Sequence, residues 1–447
     1  MRTCYQHPWF STLMLEEDDG MVGDQHSGGT SFVAIDIGKA FHAVLVEFPD
    51  GAHQRFRMAN SAEDYGRLIA FLRTLPGPVR VALEPTGNFH RTLAFHLISA
   101  GISVVSVSSV AGARYREAMF NSRDKNDPKD ATVILQLLKH GLVQHYHEPL
   151  LAGHHDLQEL AKTYRQVTLA RKRLADSLLN HYLPLYFPEI ARYWESTRVE
   201  WFVAFLSRFP TPRAVQALSL PEFIQAAWPL IGRKVNKRAK LEELYELAQS
   251  SIALPVTVDS PAIDTFRLQL AHFARLAELR RELEAQAHRL LKDRPDYQCL
   301  CSLPGVASVL AMVILAEGGD LRRFRHHRQF LKYCGLDLAK CQSGQFRGRE
   351  MLSKRGNALL RMAFWMAAQR AVRMSENSFR DKYERYMKQD PGNADVRRKA
   401  LTAVAAKMAR VAYALVKRLE PYRGYHEQAL PSGSIPLNRA VGALATP

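Results

Sequence analysis

The first third of the chain alternates predicted strands and helices in an order that limits the folds it can adopt. Three segments with apolar or alternating patterns, 32–37, 41–48 and 53–58, follow one another across short turns and predict three consecutive strands. Helix, strand, helix, strand and helix patterns then follow as far as residue 145. Ser61 is a typical N-cap before the first of these helices. The order predicts an α/β domain that begins with three adjacent strands.

This succession is the chain order of the ribonuclease H-like fold. In that fold the first strand is central and carries one metal-binding carboxylate, the fourth strand lies beside it and carries another, and a later helix carries the last. Asp36 ends the first predicted strand and Glu84 ends the fourth. Asp127 and Asp130 open the last helix, and their spacing of three residues places both on one helix face. We therefore predict that these four carboxylates converge on one site.

Four carboxylates at one site suit divalent metal ions that act on a phosphodiester. Two Mg²⁺ ions about 3.5–4 Å apart can neutralise a non-bridging oxygen and the leaving oxygen, and Mg²⁺ prefers oxygen ligands. Taken alone, Asp127 and Asp130 would be a solvated helix start that the helix dipole favours. Their combination with Asp36 and Glu84 favours the metal site. Asp124 is interpreted as structural, although spacing alone leaves the choice between Asp124 and Asp127 open.

The positive charge of the chain predicts a polyanionic partner. The 447 residues carry a formal net charge of +17, and this charge is clustered. Between Leu321 and Arg361 there are 11 Lys or Arg residues and two acids, and 233–240 is a second basic run. Neither run has the apolar face of a membrane-surface helix, and no stretch of 18 apolar residues predicts a membrane span. The residues predicted to contact nucleic acid are Arg322, Arg323, Arg325, Arg328, Arg347, Arg349, Lys354, Arg355 and Arg361.

The rest of the chain is predicted to be mostly helical. Residues 146–295 contain apolar stripes at heptad spacing, at 157–178 and 263–290. Such stripes suit either core-facing helices or a coiled coil between subunits, and the sequence leaves both open. Residues 296–425 predict a second compact unit, also mostly helical.

The ends of the chain and its cysteines indicate the compartment. Residues 1–30 lack the order of a signal peptide, and they and residues 426–447 predict disordered tails. The five cysteines are odd in number and form no Cys-x-x-Cys pair, which favours a reducing compartment and disfavours a zinc site. These patterns predict a cytoplasmic protein.

Short motifs occur in a fixed order along residues 31–425. They are Ala34-Ile35-Asp36-Ile37-Gly38-Lys39, Leu83-Glu84-Pro85-Thr86-Gly87, Lys125-Asn126-Asp127-Pro128-Lys129-Asp130-Ala131, Leu303-Pro304-Gly305-Val306, Tyr333-Cys334-Gly335-Leu336, Gln342-Ser343-Gly344, Ser353-Lys354-Arg355-Gly356-Asn357 and Leu360-Arg361. Together they resemble the DEDD transposases of insertion sequences of the "IS one-ten" type, which are kin of the Piv DNA invertase.

The resemblance implies a fold and a division into domains. It implies a RuvC-like nuclease domain of the ribonuclease H fold over 31–145, a helical or coiled-coil linker and dimerisation region over 146–295, and a mostly helical C-terminal transposase domain over 296–425. The fold class is then α/β plus all-α.

The resemblance also implies the chemistry. Asp36, Glu84, Asp127 and Asp130 would bind magnesium, two ions per site, and Ser343 would attack the DNA backbone to give a covalent 5′-phosphoserine and a free 3′-hydroxyl. By composition alone Ser343 is a loop hydroxyl, with Ser302 and Ser353 as rivals.

The implied partners are double-stranded DNA at the element ends and target, and a structured bridge RNA whose loops pair with both. The assembly implied is a homodimer, with a tetramer in the synaptic complex, in which Ser343 joins the metal cluster of another subunit. The function implied is that of a transposase of a mobile insertion sequence, acting in the bacterial cytoplasm at the nucleoid. The alternative is a RuvC-like Holliday-junction resolvase or nuclease that uses only the four acids. A sugar-kinase-like enzyme of the actin fold would need a second strand-rich half, and a regulator without activity would not require the acids together.

Overall fold

The computed structural model describes most of the chain, and the parts it describes form two compact units. One unit contains the described residues of 1–158 and 291–447, and the other contains those of 159–290. Asp124, Arg349, residues 233–235 and nearly all of both predicted tails lie outside the described residues, as do the side chains of Asp127, Ser343 and Arg347. The described residues are 29–121, 127–194, 199–232, 236–339, 342–343, 346–348, 350–388 and 390–424.

The N-terminal part of the first unit is built on a six-stranded sheet. The strands are β1 (Ser31–Asp36), β2 (Phe41–Glu47), β3 (His53–Ala59), β4 (Val79–Glu84), β5 (Ser103–Ser106) and β6 (Gln144–His145). Their order across the sheet is β3-β2-β1-β4-β5-β6. The pairs β1–β2 and β2–β3 are antiparallel, whereas β1–β4 and β4–β5 are parallel. A central first strand with the fourth strand beside it confirms the ribonuclease H-like order predicted from the sequence.

Helices cover both faces of this sheet, because successive side chains of β1 point into two different apolar cores. Val33 and Ile35 belong to the core shared with the first two helices, and Ala34 belongs to the core shared with the fourth. The helices are α1 (Ala62–Thr74), α2 (Phe89–Ser99), α3 (Ser109–Phe120) and α4 (Asp127–Lys139). The sequence interpretation did not include α3, whose buried residue is Gly112 and whose apolar residues Ala111, Tyr115 and Phe120 are only partly buried against the core.

The second unit is helical, and its two long helices pair with each other. They are α5 (His155–Ser177) and α11 (Pro261–Leu291). Between them lie a π-helical segment (Leu178–Tyr182), α6 (Leu183–Tyr186), α7 (Val199–Arg208), α8 (Pro212–Gln216), α9 (Leu220–Ala227) and α10 (Lys237–Gln249).

Contacts along this pair show that it is antiparallel. The Tyr164 hydroxyl donates to Glu284 Oε1 at 2.9 Å, the Arg171 guanidinium lies 4.7 Å from the Phe273 ring centroid, and Tyr182 stacks on Phe266 with 5.3 Å between centroids. The two predicted heptad stripes therefore face each other within one chain. Dimer formation stays a prediction.

The C-terminal part of the first unit packs around one long helix. Its helices are α12 (Pro295–Cys301), α13 (Ser308–Gly318), α14 (His327–Tyr333), α15 (Ala358–Ala371), α16 (Ser378–Met387) and α17 (Ala394–Arg418). Val404, Ala405, Met408 and Ala409 of α17 are fully buried, and α12, α14, α15 and α16 pack against this helix. None of the described helices is long and apolar enough to cross a membrane.

The N-terminal and C-terminal parts meet within the first unit. A Cβ atom on Gly319 would lie 3.8 Å from Cδ2 of His154. Burial lowers the pKa of His154, and Arg294, which lies near it, acts in the same direction. The segment that leaves the sheet is thus in contact with the start of the C-terminal part.

Candidate active site

Asp36 and Glu84 lie side by side at one edge of the sheet. They end the neighbouring parallel strands β1 and β4 and are partners in the strand register. Their side chains therefore leave the sheet on the same face. Ala34 and Ala82, two residues earlier on each strand, belong to the core that includes α4. Both carboxylates thus lie on the face covered by α4.

The start of α4 brings further acids to this face. The helix begins at Asp127, and Asp130 follows after three residues with only 2% of its residue surface exposed. Ala131 and Ile134 are buried in the core shared with β1 and β4, which fixes the first turns of the helix against the sheet. The backbone of Asp127 therefore lies at the N-terminus of the helix that covers the edge carrying Asp36.

Helix α3 covers the same group of acids. Arg116 Nη2 lies 2.5 Å from Asp130 Oδ1, with side-chain exposures of 12% and 2%. A Cβ atom on Gly112, one helical turn earlier, would lie 3.4 Å from Glu84 Oε2. One face of α3 therefore contacts both Glu84 and Asp130. The only sequence signal for this role is the spacing of Gly112 and Arg116 by four residues, which places them on one helix face.

The described carboxylates have the chemistry to hold a divalent cation, and two of them are adjacent in the strand register. Asp36, Glu84 and Asp130 supply oxygen donors of the kind Mg²⁺ prefers, and the first two are in register. The described side chains contain no group of three or more His, Cys, Asp or Glu residues already arranged around a metal position; the Asp127 side chain is outside this set. Arg116 balances the charge of Asp130, so a cation at that carboxylate would compete with a guanidinium.

Ser343 lies on a short hairpin in the C-terminal part of the first unit. Strand β7 (Leu338–Ala339) pairs antiparallel with β10 (Met351–Leu352). Inside that pair, β8 (Gln342–Ser343) pairs with β9 (Phe346–Arg347), and Ser343 is opposite Phe346. The backbone of Ser343 therefore lies in the inner pair of these strands. This element is separate from those that carry the acids, so a joint site stays a prediction.

The base of the hairpin is held by a backbone clamp. Arg361 Nη1 donates to the carbonyl oxygens of Lys354 at 3.2 Å and Cys334 at 3.4 Å. Gly356 has a φ of 147°, and a Cβ atom there would lie 2.6 Å from the Gly335 nitrogen and from two carbonyl oxygens. Glycine is required at such a close approach. The clamp explains the presence of Gly335 and Gly356 in the two motifs that flank the hairpin.

The arginines and lysines predicted to bind nucleic acid lie in two settings. Arg322, Arg323, Arg325, Arg328, Lys354 and Arg355 are exposed. Of these, Arg322 pairs with Asp320 at 2.9 Å, and the Arg323 guanidinium lies 4.5 Å from the Phe324 ring centroid. Arg361 is half-buried in the clamp, which gives it a structural contact. Nucleic-acid binding by the whole set stays a prediction.

Two family models match the chain. Residues 297–384 match the model described as Transposase IS116/IS110/IS902 family. Residues 33–188 match a model of the IS110-type DEDD domain, described as Transposase. Together they cover more than half of the chain, including the acids and the hairpin.

Individual proteins and structures are also similar to the chain. The IS117 mini-circle protein of Streptomyces coelicolor is 27% identical over 359 residues, which are 76% of this chain and 83% of that protein. The transposase for insertion sequence element IS1111A of Coxiella burnetii is 32% identical over 142 residues, 32% of this chain and 38% of that protein. A structure of T. thermophilus RuvC in complex with a Holliday junction substrate has a TM-score of 0.20 and 12% identity, covering 26% of this chain and 99% of RuvC. Strand order and direction, rather than this last likeness, identify the fold.

Proposed function

The chain belongs to the IS116/IS110/IS902 family of transposases, and from this premise we propose how it cleaves and rejoins DNA. Asp36, Glu84, Asp127 and Asp130 hold magnesium, two ions per site, and Ser343 is the nucleophile. The observation that carries the metal site is the register of Asp36 with Glu84 on the face covered by the helix that opens with Asp127 and contains Asp130.

The proposed reaction is a transesterification at phosphorus. When bound, magnesium supplies neutralisation of the charge that develops on the phosphodiester oxygens. Ser343 Oγ loses its proton and forms a bond to phosphorus, while the bond from phosphorus to the 3′ oxygen breaks. The leaving 3′ oxygen takes up a proton and becomes a 3′-hydroxyl, and the 5′ end stays on the enzyme as a phosphoserine. Attack by another 3′-hydroxyl reverses these steps and joins the strands.

The proposed partners follow from the charge of the chain and from its family. Double-stranded DNA at the element ends and the target is the substrate, and a bridge RNA supplies sequence specificity through base pairing. The net charge of +17 supports a protein that holds both polyanions. The assembly is a homodimer that forms a tetramer with DNA, in which Ser343 of one subunit faces the acids of another, and it acts at the bacterial nucleoid.

Separate assays test the acids and the serine. Asp36→Asn keeps the size of the side chain and removes a ligand charge, so DNA carrying the element ends should remain uncut in Mg²⁺ while binding persists. Undiminished cleavage by this variant would remove the metal site.

Ser343→Ala should abolish the covalent protein–DNA adduct on a denaturing gel, and Ser353→Ala on the same hairpin serves as the matched control. An adduct that persists without Ser343 and disappears without Ser353 would reassign the nucleophile. Cleavage with no adduct in the wild-type protein would favour the resolvase alternative.

A further inference from the structure

A basic cleft lies between α16 and α17, on elements that carry neither the acids nor Ser343. It has a volume of about 430 Å³ and is lined by Lys382, Arg385, Tyr386 and Lys407. The first three share one face of α16, because residues three and four apart are neighbours on a helix. Helix α17 packs against α16 and contributes Lys407. Three cations and one aromatic side chain therefore line one concave surface.

Lys407 is held in a fixed position within the cleft. Its Nζ donates to the carbonyl oxygen of Ser378 at 2.8 Å and contacts the Ser378 hydroxyl at 2.9 Å. The same ammonium group lies 5.1 Å from the ring centroid of Phe379, which is fully buried. The charge is thus anchored by α16 and does not move freely in solvent.

The cations of the cleft repel one another. Burial lowers the pKa of Lys382, and Arg410, Lys407 and Arg385 lower it further. Burial also lowers the pKa of Lys407, as do Arg385 and Arg410, whereas Asp381 acts in the opposite direction. Like charges that are brought together and partly desolvated are unfavourable unless an anion compensates them. The cleft therefore has the electrostatics of an anion site.

The outer sides of the same helices are different. Arg380 pairs with Glu384 at 2.7 Å on α16, and Arg398 pairs with Asp395 on α17. These exposed pairs balance their own charges. Two cations on the outer sides of these helices are thus neutralised by carboxylates of their own helix.

The basic surface continues from the cleft towards α14. Burial lowers the pKa of His327 at the start of α14, and His326, Arg410 of α17 and Arg328 lower it further. Arg328 belongs to the set predicted from the sequence to contact nucleic acid. Arg410 therefore acts both on a cation of the cleft and on His327, beside a member of that set.

We infer that this cleft binds one nucleotide of a single-stranded nucleic acid, with its phosphodiester against Lys382, Arg385 and Lys407 and its base against Tyr386. Its volume is in the range of small-ligand pockets, which suits one nucleotide rather than the side of a duplex. Cations that follow the backbone and an aromatic ring that stacks on a base are the usual means of holding single strands. The inference rests on the proposed function only in taking nucleic acid as the partner.

Binding is tested with the full chain in EDTA, by fluorescence anisotropy of labelled single-stranded RNA, single-stranded DNA and a duplex of equal length at several salt concentrations. The double variant Lys382→Gln, Arg385→Gln should weaken single-strand binding at least tenfold. It should also reduce the slope of log K against log salt by up to about 0.7, because the cleft neutralises one phosphate. Tyr386→Leu should weaken binding roughly 5- to 150-fold, the usual effect of one stacked base, with the salt slope unchanged.

The matched control is Arg380→Gln, Arg398→Gln, which removes two cations from the outer sides of the same helices and should leave the affinity and the slope unchanged. Arg385→Lys preserves the charge and should retain binding, which separates loss of the site from loss of folding. A double variant with an unchanged slope, or one that weakens duplex binding as much as single-strand binding, would overturn the inference.

The RNA and DNA arms identify which strand occupies the site, and preference for either supports it. Because magnesium is absent, this result is independent of the cleavage assay on Asp36→Asn. Failure of the cleft and failure of the proposed chemistry are therefore distinguishable.

Discussion

Removal of the Arg116 guanidinium should destabilise the protein and strengthen its response to magnesium. Arg116 and Asp130 form a pair at 2.5 Å with 12% and 2% of their side chains exposed. Removing one partner of a buried pair costs about 3–5 kcal/mol when the other charge is left uncompensated, and Asp130 has a further interaction besides the one with Arg116. Since Arg116 keeps some access to solvent, we expect Arg116→Ala to cost about 3 kcal/mol in EDTA, at the lower end of that range. At about 2–4 °C per kcal/mol, the melting temperature of the first unit should fall by about 6–12 °C.

The assay is thermal unfolding followed by fluorescence, with and without Mg²⁺. In the variant a cation no longer competes with the guanidinium for Asp130, so its affinity rises, and stabilisation by a ligand grows with the ratio of its concentration to Kd. Mg²⁺ should therefore raise the melting temperature of Arg116→Ala more than that of the wild type. The double variant Arg116→Ala, Asp130→Ala should recover part of the lost stability in EDTA and lose the added response.

Arg114→Ala provides the control, because Arg114 is on the same helix and is exposed. If Arg116→Ala loses no more stability than Arg114→Ala, then the pair does not contribute as its burial indicates. If Mg²⁺ shifts the wild type and Arg116→Ala equally, then the cation does not share the Asp130 carboxylate. Either result would refute the corresponding step of the reasoning.

Three further perturbations test other parts of the structure. Gly356→Ala places a Cβ atom 2.6 Å from backbone atoms, so hydrogen exchange around the hairpin base should accelerate, whereas Gly392→Ala, with open space around it, should leave exchange unchanged. Gly112→Val should lower the cleavage rate by displacing α3 from Glu84, while the same change at Gly66, where a Cβ meets nothing within 4 Å, should cost only helix propensity. Burial lowers the pKa of His42, so the unfolded chain binds a proton there at a higher pH than the folded chain does. The free energy of unfolding should therefore fall as the pH drops below about 6.5. His42→Leu should reduce this pH dependence, measured by urea denaturation at several pH values.

The sequence predicted the first five strands because apolar periodicity is a local signal, whereas their order across the sheet followed from the match of the chain order to the ribonuclease H-like fold. It also placed Asp36 and Glu84 at the ends of adjacent strands, since parallel strands in this chain order must end at one edge. The pairing of α5 with α11 stayed open because a heptad stripe has the same pattern whether its partner belongs to the same chain or to another.

Other features depend on contacts between residues distant in sequence. The apolar residues of α3 are only partly buried, and the role of this helix depends on the close approach of Gly112 to Glu84. The role of Arg361 depends on carbonyl oxygens 7 and 27 residues away. The sequence does not predict the cleft, because Asp381 and Glu384 offset the positive charge around Lys382. The fold separates Arg380, which pairs with Glu384, from the cations that line the cleft.

The antiparallel pairing of α5 with α11 has a consequence for the synthesis of the chain. The first unit contains described residues from both sides of the second unit, so its N-terminal sheet leaves the ribosome more than 130 residues before its C-terminal helices. Closing so long a loop costs entropy. Because α5 and α11 pair antiparallel, the start of α5 lies near the end of α11, and the loop that must still be closed is short. Once formed, this helix pair of the second unit would keep the C-terminal helices close to the N-terminal sheet, which has already folded.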